Sequence, residues 1–288
     1  MFTGSAGFLD DPANRADLET YLSDLTQPYP HSRYAADASS PVAGQSYGEM
    51  AEELIRAVAP VEPVDLLVLA YAVHDAQPGR ATATYLSSVC PGTPLSFAVS
   101  DQGTAAAFSA LRIVRDYLAA DPAQTARASG SGRASGSGRR ALLIVAEQAT
   151  LPYPSAGAAP EQHRGLALLL SGGAVPAGAT GRLAGLRQRT NLAAGALAGQ
   201  VAADLAELSA GYRRVRVVAN SALAEAWPER PDGLLRIAPA GQPSTGVWWQ
   251  LLDEFAAVTG PDRPDLLVAA DYEPELGYLC LAGFEPAG

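Results

Sequence analysis

The chain has 288 residues, enough for one large fused unit or two domains, and its 48% hydrophobic and 17% charged composition is that of a globular protein. Thirty acids outnumber twenty cations, all arginine, and the net charge of −10 argues against a nucleic-acid footprint, while the lack of lysine removes Schiff-base chemistry. There is no run of eighteen apolar residues, residues 1–11 lack the basic and then apolar stretch of a secretory signal, and the two cysteines form neither a disulfide framework nor a zinc spacing. These features predict a cytoplasmic protein with no membrane span, metal or cofactor.

Residues 1–41 are rich in Asp, Pro and Ser, with one helical stretch over 15–25, and read as an N-terminal arm. A helical pattern over 47–59 then leads into the apolar run 65–71 (DLLVLAY). A long helix is predicted over 105–118, followed by strands at 141–146 (ALLIVA) and 166–170 (LALLL). The order then repeats: a helix over 192–210, a strand at 215–219 (VRVVA), a helix over 247–258, and strands at 266–270 (LLVAA) and 278–282 (YLCLA). Apolar runs without alternation indicate strands buried on both faces, as in a helix-covered, largely parallel sheet. The prediction is an α/β protein, a duplicated α/β/α layered sandwich of two pseudo-symmetric halves over 42–180 and 181–288. Between residues 127 and 140 the hexapeptide RASGSG occurs twice in tandem, with no apolar residue larger than alanine to anchor it, and this segment reads as a flexible Gly/Ser surface loop. Neither GxxxxGK[ST] nor GxGxxG follows a strand there, so a phosphate-cradling role is disfavoured.

Consecutive stretches carry a family likeness: 65–71, the Pro-containing loop and helix of 76–86 (AQPGRATATYL), the strand-to-helix segment 95–111 (LSFAVSDQGTAAAFSAL), the strand 140–148 (RALLIVAEQ), and 163–174 (HRGLALLLSGGA). Their order over residues 45–285 resembles the ketoacyl-ACP synthase III branch of the thiolase-fold superfamily. That resemblance implies a thiolase-like fold and condensing chemistry built on a Cys–His–Asn triad. A thiolate at a helix N-terminus is activated by the macrodipole and free amides, and the His and Asn stabilise the thioester oxygen and enolate. Here the Cys position falls on Thr104 (Gly103 if the gap is placed one residue earlier), the His position on Asn220 within VANSAL, and the Asn position on Gln242 within GQPST. With all three changed, thiolate condensation is not expected, and Thr104 has no basic residue at a family position to activate its hydroxyl.

Other candidates read more plainly. His74, His163 and His31 are expected as loop or surface residues, with His74 a candidate partner contact. Ser100 or Asp101 is expected to cap the helix that follows. Cys90 lies before a Pro-Gly turn, Cys280 reads as strand core, and of Trp248 and Trp249 at most one is expected to be deeply buried. The resemblance further implies a dimer formed along the strand 96–100. It predicts that Phe97 and Val99, with His74, Asp75 and Gln77 of the loop 74–80, are buried only against a second chain. The expected role is a non-catalytic ketosynthase III-like subunit. Its partner would be a homologue with an intact Cys–His–Asn triad, in a heterodimer or heterotetramer, with an acyl carrier protein as a further partner. The alternative is an acyltransferase or thioesterase on acyl-CoA or acyl-ACP, using Thr104 or Ser100 in a non-Cys active site.

Overall fold

The computed structural model describes residue 7 and residues 10–26, 44–75, 81–120, 138–149, 160–173, 178–228, 233–257 and 263–287. In chain order the elements are α1 (Pro12–Thr26), α2 (Tyr47–Val58), β1 (Leu66–Ala70), α3 (Thr82–Val89), β2 (Leu95–Val99), α4 (Ala106–Ala119), β3 (Arg140–Glu147) and β4 (Arg164–Ser171). They continue with β5 (Gly181–Arg189), α5 (Leu197–Leu208), β6 (Val215–Ala219), α6 (Ser221–Ala226), β7 (Leu235–Ile237), α7 (Gly246–Ala257), β8 (Leu266–Glu273) and β9 (Tyr278–Pro286).

Two mixed sheets form, in the orders β2-β1-β3-β4 and β7-β6-β8-β9-β5. In each, three strands are parallel and the next is antiparallel, with Val68 level with Phe97 and Leu143 in the first sheet and Val217 level with Leu235 and Val268 in the second. With β5 set aside, the two orders are the same, and this is the duplication visible in the sequence.

The apolar runs lack alternation because both faces of each sheet are covered. In β1, Leu66, Val68 and Ala70 join a central core with α4 and α7, whereas Leu67 and Leu69 join an outer core with α2 and α3. In β8, Leu267 and Ala269 face the central core and Leu266, Val268 and Ala270 the outer core under α5 and α6. The result is five layers, helix–sheet–helix–sheet–helix, with α4 and α7 sandwiched between the sheets. Phe108 of α4 packs on Trp248 of α7 at 4.8 Å between ring centroids, and Trp248 meets Phe284 edge-on. Trp248 is buried and Trp249 is only partly so, with the Arg164 guanidinium 5.6 Å from its ring.

Two short or polar elements, β5 and β7, carry no apolar run, and the sequence reading missed both. Both are edge strands of the second sheet; β5 is arginine-rich and β7 spans only three residues. Most of the tandem RASGSG segment lies outside the described residues, as does most of the N-terminal arm, whose helix α1 spans Pro12–Thr26.

Candidate functional site

The site follows from how the two halves interlock. Strand β2 ends at Val99, the chain turns through Ser100–Gln102, and a 3₁₀ turn, Gly103–Ala105, opens into the buried helix α4. Helix N-termini leave N–H groups without intrahelical partners. Neither Ser100 nor Asp101 satisfies them, contrary to the capping expectation: Asp101 is exposed, has a left-handed φ of 61°, and accepts a hydrogen bond from the Ser100 hydroxyl at 2.7 Å.

The partners come from the other half. The Thr104 N–H donates to Glu273 Oε2 at 3.0 Å, and the Thr104 hydroxyl donates to the Asp271 carboxylate. Both acids lie at the end of β8, pointing into the central layer. Gly103 has a left-handed φ of 52°, and a Cβ there would press on the Glu273 side chain. Asp271 is buried, and that burial pushes its carboxyl up to about 7; the Thr104 hydroxyl opposes the rise, and the charge of Glu273 adds to it.

The same arrangement occurs at α7, with the halves exchanged. Glu147, the last residue of β3, is buried and accepts from the backbone N–H groups of Ser244 (2.9 Å) and Thr245 (3.3 Å) and from the Thr245 hydroxyl. Burial pushes its carboxyl up to about 7, against the lowering by these three donors and by nearby Arg164. Each central helix is therefore capped by a carboxylate from the opposite sheet, with a threonine hydroxyl in each junction.

The three positions given by the family likeness part company here. Thr104 and Asn220 are both tied to residues 271–273, but differently. Asn220 is the N-cap of α6: its Oδ1 accepts from Leu223 N–H at 3.0 Å and Tyr272 N–H at 3.3 Å, and its Nδ2 donates to the Tyr272 carbonyl at 2.9 Å. Its hydrogen bonds are spent on holding the strand end. Gln242 lies instead at the α7 corner with Glu147. It is buried, and neither atom of its amide has a hydrogen-bond partner among the described residues.

The Thr104 hydroxyl has a carboxylate partner, Asp271, which stands at none of the family positions. Asp75 is not a surface residue awaiting a partner: its buried carboxylate accepts from the Tyr47 N–H (3.2 Å), from Gln148 Nε2 (3.1 Å) and from the Thr82 hydroxyl (3.4 Å). Val99 is likewise buried within the single chain, whereas Phe97 is half-buried and Leu95 exposed. Strand β2 is nonetheless an edge strand, with β1 on one side and no neighbour on the other among the described residues. His74 is half-exposed, its Nε2 3.6 Å from Asp101 Oδ1, and Gln77 lies outside the described residues.

His163 stands just before β4, against Gly44, and His31 lies outside the described residues. Both thiols are buried, which pushes Cys90 up to about 11 and raises Cys280 further; neither has the depressed pKa a nucleophilic thiolate requires. Among the described residues, no cluster of three or more His, Cys, Asp or Glu could hold a metal ion, and no helix is long and apolar enough to cross a membrane. The functional residues missed in the sequence were Glu147, Asp271 and Glu273. Their signal was present in ALLIVAE and LLVAADYE, where an acid ends an otherwise apolar strand in both halves.

No protein-family model and no curated protein matches the sequence. Solved structures do match. "ChlB3 [Aceyltransferase]" aligns at TM-score 0.60 and 16% identity over 83% of this chain and 84% of its own. The tetronic acid condensing enzyme AbyA1 aligns at 0.57 and 17% over the same shares. OleA from Xanthomonas campestris, solved as a variant with cerulenin, aligns at 0.56 and 13% over 94% of this chain and 91% of its own. At such identities the likeness shows the fold, and this chain has the fold of the thiolase-like condensing enzymes.

Proposed function

We propose that this chain is a non-catalytic ketosynthase III-like subunit that pairs with and supports an active condensing enzyme or acyltransferase in polyketide or fatty-acid-like biosynthesis. The observation that carries this reading is the α4 N-terminus. A condensing thiolate needs that terminus electropositive and open, with free N–H groups for the developing negative charge. Here Glu273 takes up the Thr104 N–H and Asp271 the Thr104 hydroxyl, so two acids sit where the anionic nucleophile would form. Asn220 is committed to capping and Gln242 lies at the α7 corner, so neither supplies Thr104 with the base or oxyanion donor that the family's His and Asn positions would. The open edge of β2, with Phe97 half-buried and Leu95 exposed, supports pairing with a second chain. The functions printed for ChlB3 and AbyA1, acyl transfer and tetronic acid condensation, supply the pathway class.

One observation favours a second reading. Asp271, raised to about 7 and bonded to the Thr104 hydroxyl, has the ionisation range of a general base, so Thr104 could accept an acyl group from a CoA or carrier thioester. Glu273 weighs against it, because it holds the N–H that a tetrahedral oxyanion would need. Intact-protein mass spectrometry after incubation with acyl-CoA and acyl-ACP separates the two. The subunit reading predicts no acyl adduct, and stoichiometric acylation that Thr104→Ala abolishes would overturn it.

A further inference from the structure

The two sheets match strand for strand except at one edge. In the second sheet β9 is flanked by β5, which runs antiparallel to it. In the first sheet the equivalent strand, β4, is the last, with no neighbour on its outer side among the described residues. The difference shows in burial. Residues Leu279 to Phe284 of β9 are all buried, but on β4 burial stops at Leu166; Ala167, Leu168 and Leu170 are half-buried and Leu169 is 41% exposed.

An open edge offers a row of unpaired N–H and C=O groups to any other strand, and proteins protect such edges with charge, irregularity or shortness. The edges of the second sheet follow that rule. Strand β5 carries Arg182, Arg187 and Arg189 and a register irregularity between Leu183 and Gly185, and β7 spans only three residues. Strand β4 has no such device. Its eight residues, RGLALLLS, hold one charge, Arg164 at the start, and their register with β3 is regular from end to end. Leu54 of α2 lies against Gly165 and adds to the apolar character of this edge. The pairing of β5 with β9 shows what fits there, a strand running antiparallel. It must also be apolar, because a charge set against Leu168, Leu169 or Leu170 would lose water without gaining a counter-ion.

We propose that the outer edge of β4 binds β4 of a second copy of this chain, joining the two four-stranded sheets into one across a two-fold axis. The strand meets both conditions for its own partner, and antiparallel pairing about a two-fold is self-complementary. With the axis at Leu168, Leu168 meets its own copy, Leu170 meets Leu166 and Leu169 meets Ala167, each pair on one face of the sheet. The two Arg164 side chains then lie at opposite ends, so like charges are not opposed. This pairing stands apart from the role proposed above. Strands β4 and β2 are opposite edges of the same sheet, so a second copy on β4 leaves β2 open for a catalytic partner. Both contacts together make a heterotetramer with two of each chain.

The test is sedimentation velocity of the full chain alone, as wild type, Leu169→Asp and Phe97→Asp, with amide hydrogen exchange of the wild type during dilution. The wild type and Phe97→Asp should sediment as dimers, and Leu169→Asp as a monomer with an unchanged circular dichroism spectrum. Dilution that populates the monomer should speed exchange of the β4 amides, a readout that needs no variant to fold. A monomeric wild type would overturn the inference, as would a dimer that Phe97→Asp dissociates and Leu169→Asp does not. Exchange of the β4 amides that stays the same as the dimer dissociates would overturn it too. Each of these results leaves the pairing of β2 with a catalytic chain standing, because that pairing is read from the complex formed on coexpression.

Discussion

The crossed caps predict an unusual dependence of stability on pH. Glu147 and Asp271 are both raised to about 7 in the fold, from ordinary values of 4.5 and 3.8. A carboxyl raised by burial binds its proton more tightly when folded than when unfolded. Between the two values the native state holds more protons, and stability falls as pH rises. At about 1.4 kcal/mol per pH unit, moving from pH 5.5 to pH 8 costs roughly 2 kcal/mol for each group, or about 4 kcal/mol together. Because acids with lowered values, such as Asp204 and Asp265, lose their contribution only below about pH 4, they do not obscure this window. The assay is urea denaturation at pH 5.5, 6.5, 7.2 and 8 in one buffer system at constant ionic strength. The midpoint should fall across the series, and Glu147→Gln with Asp271→Asn should flatten most of the slope. A midpoint that is constant or rises toward pH 8, or a slope that survives in the double variant, would refute the assignment of these two buried acids.

Three further outcomes follow from the same geometry. Thr104→Cys should give a sluggish thiol, alkylated by iodoacetamide at pH 7.5 no faster than an unactivated cysteine, because neighbouring acids disfavour the thiolate; rapid alkylation would show an activating terminus. Asn220→Ala removes the α6 cap and two links to Tyr272, so it should cost about 1–2 kcal/mol in urea denaturation; an unchanged midpoint would remove the structural role assigned to it. Replacing residues 127–140 by a short Gly/Ser turn should leave the melting temperature within a few degrees, since each doubling of loop length costs only about 0.6 kcal/mol; a collapse in yield would show the segment to be docked.

The duplicated order of elements was legible because β1, β3 and β8 are buried on both faces and carry apolar runs, and β6 is interrupted only by Arg216. Strands β5 and β7 were not, because GRLAGLRQR has few apolar residues to mark β5 and β7 spans only Leu235–Ile237. At the candidate site the sequence located Thr104 at the mouth of α4 but assigned the cap to Ser100 or Asp101, the nearest residues in the chain. The actual partners, Asp271 and Glu273, are more than 160 positions away. Capping chemistry read from local sequence assumes a local donor–acceptor pair, and in a duplicated fold the other half can supply it. Asp75 was expected to be buried only against a second chain, but the α2 N-terminus lies beneath this loop and its Tyr47 N–H takes up the carboxylate within the chain.

The most direct test of the subunit assignment is native mass spectrometry of this chain coexpressed with a condensing enzyme that retains Cys, His and Asn, with turnover measured on the same sample. The account predicts a complex containing both chains, and loss of both the complex and the partner's activity when a charge is placed on the open edge by Phe97→Asp. A wild-type chain that remains monomeric, beside a partner that turns over equally well without it, would contradict the account.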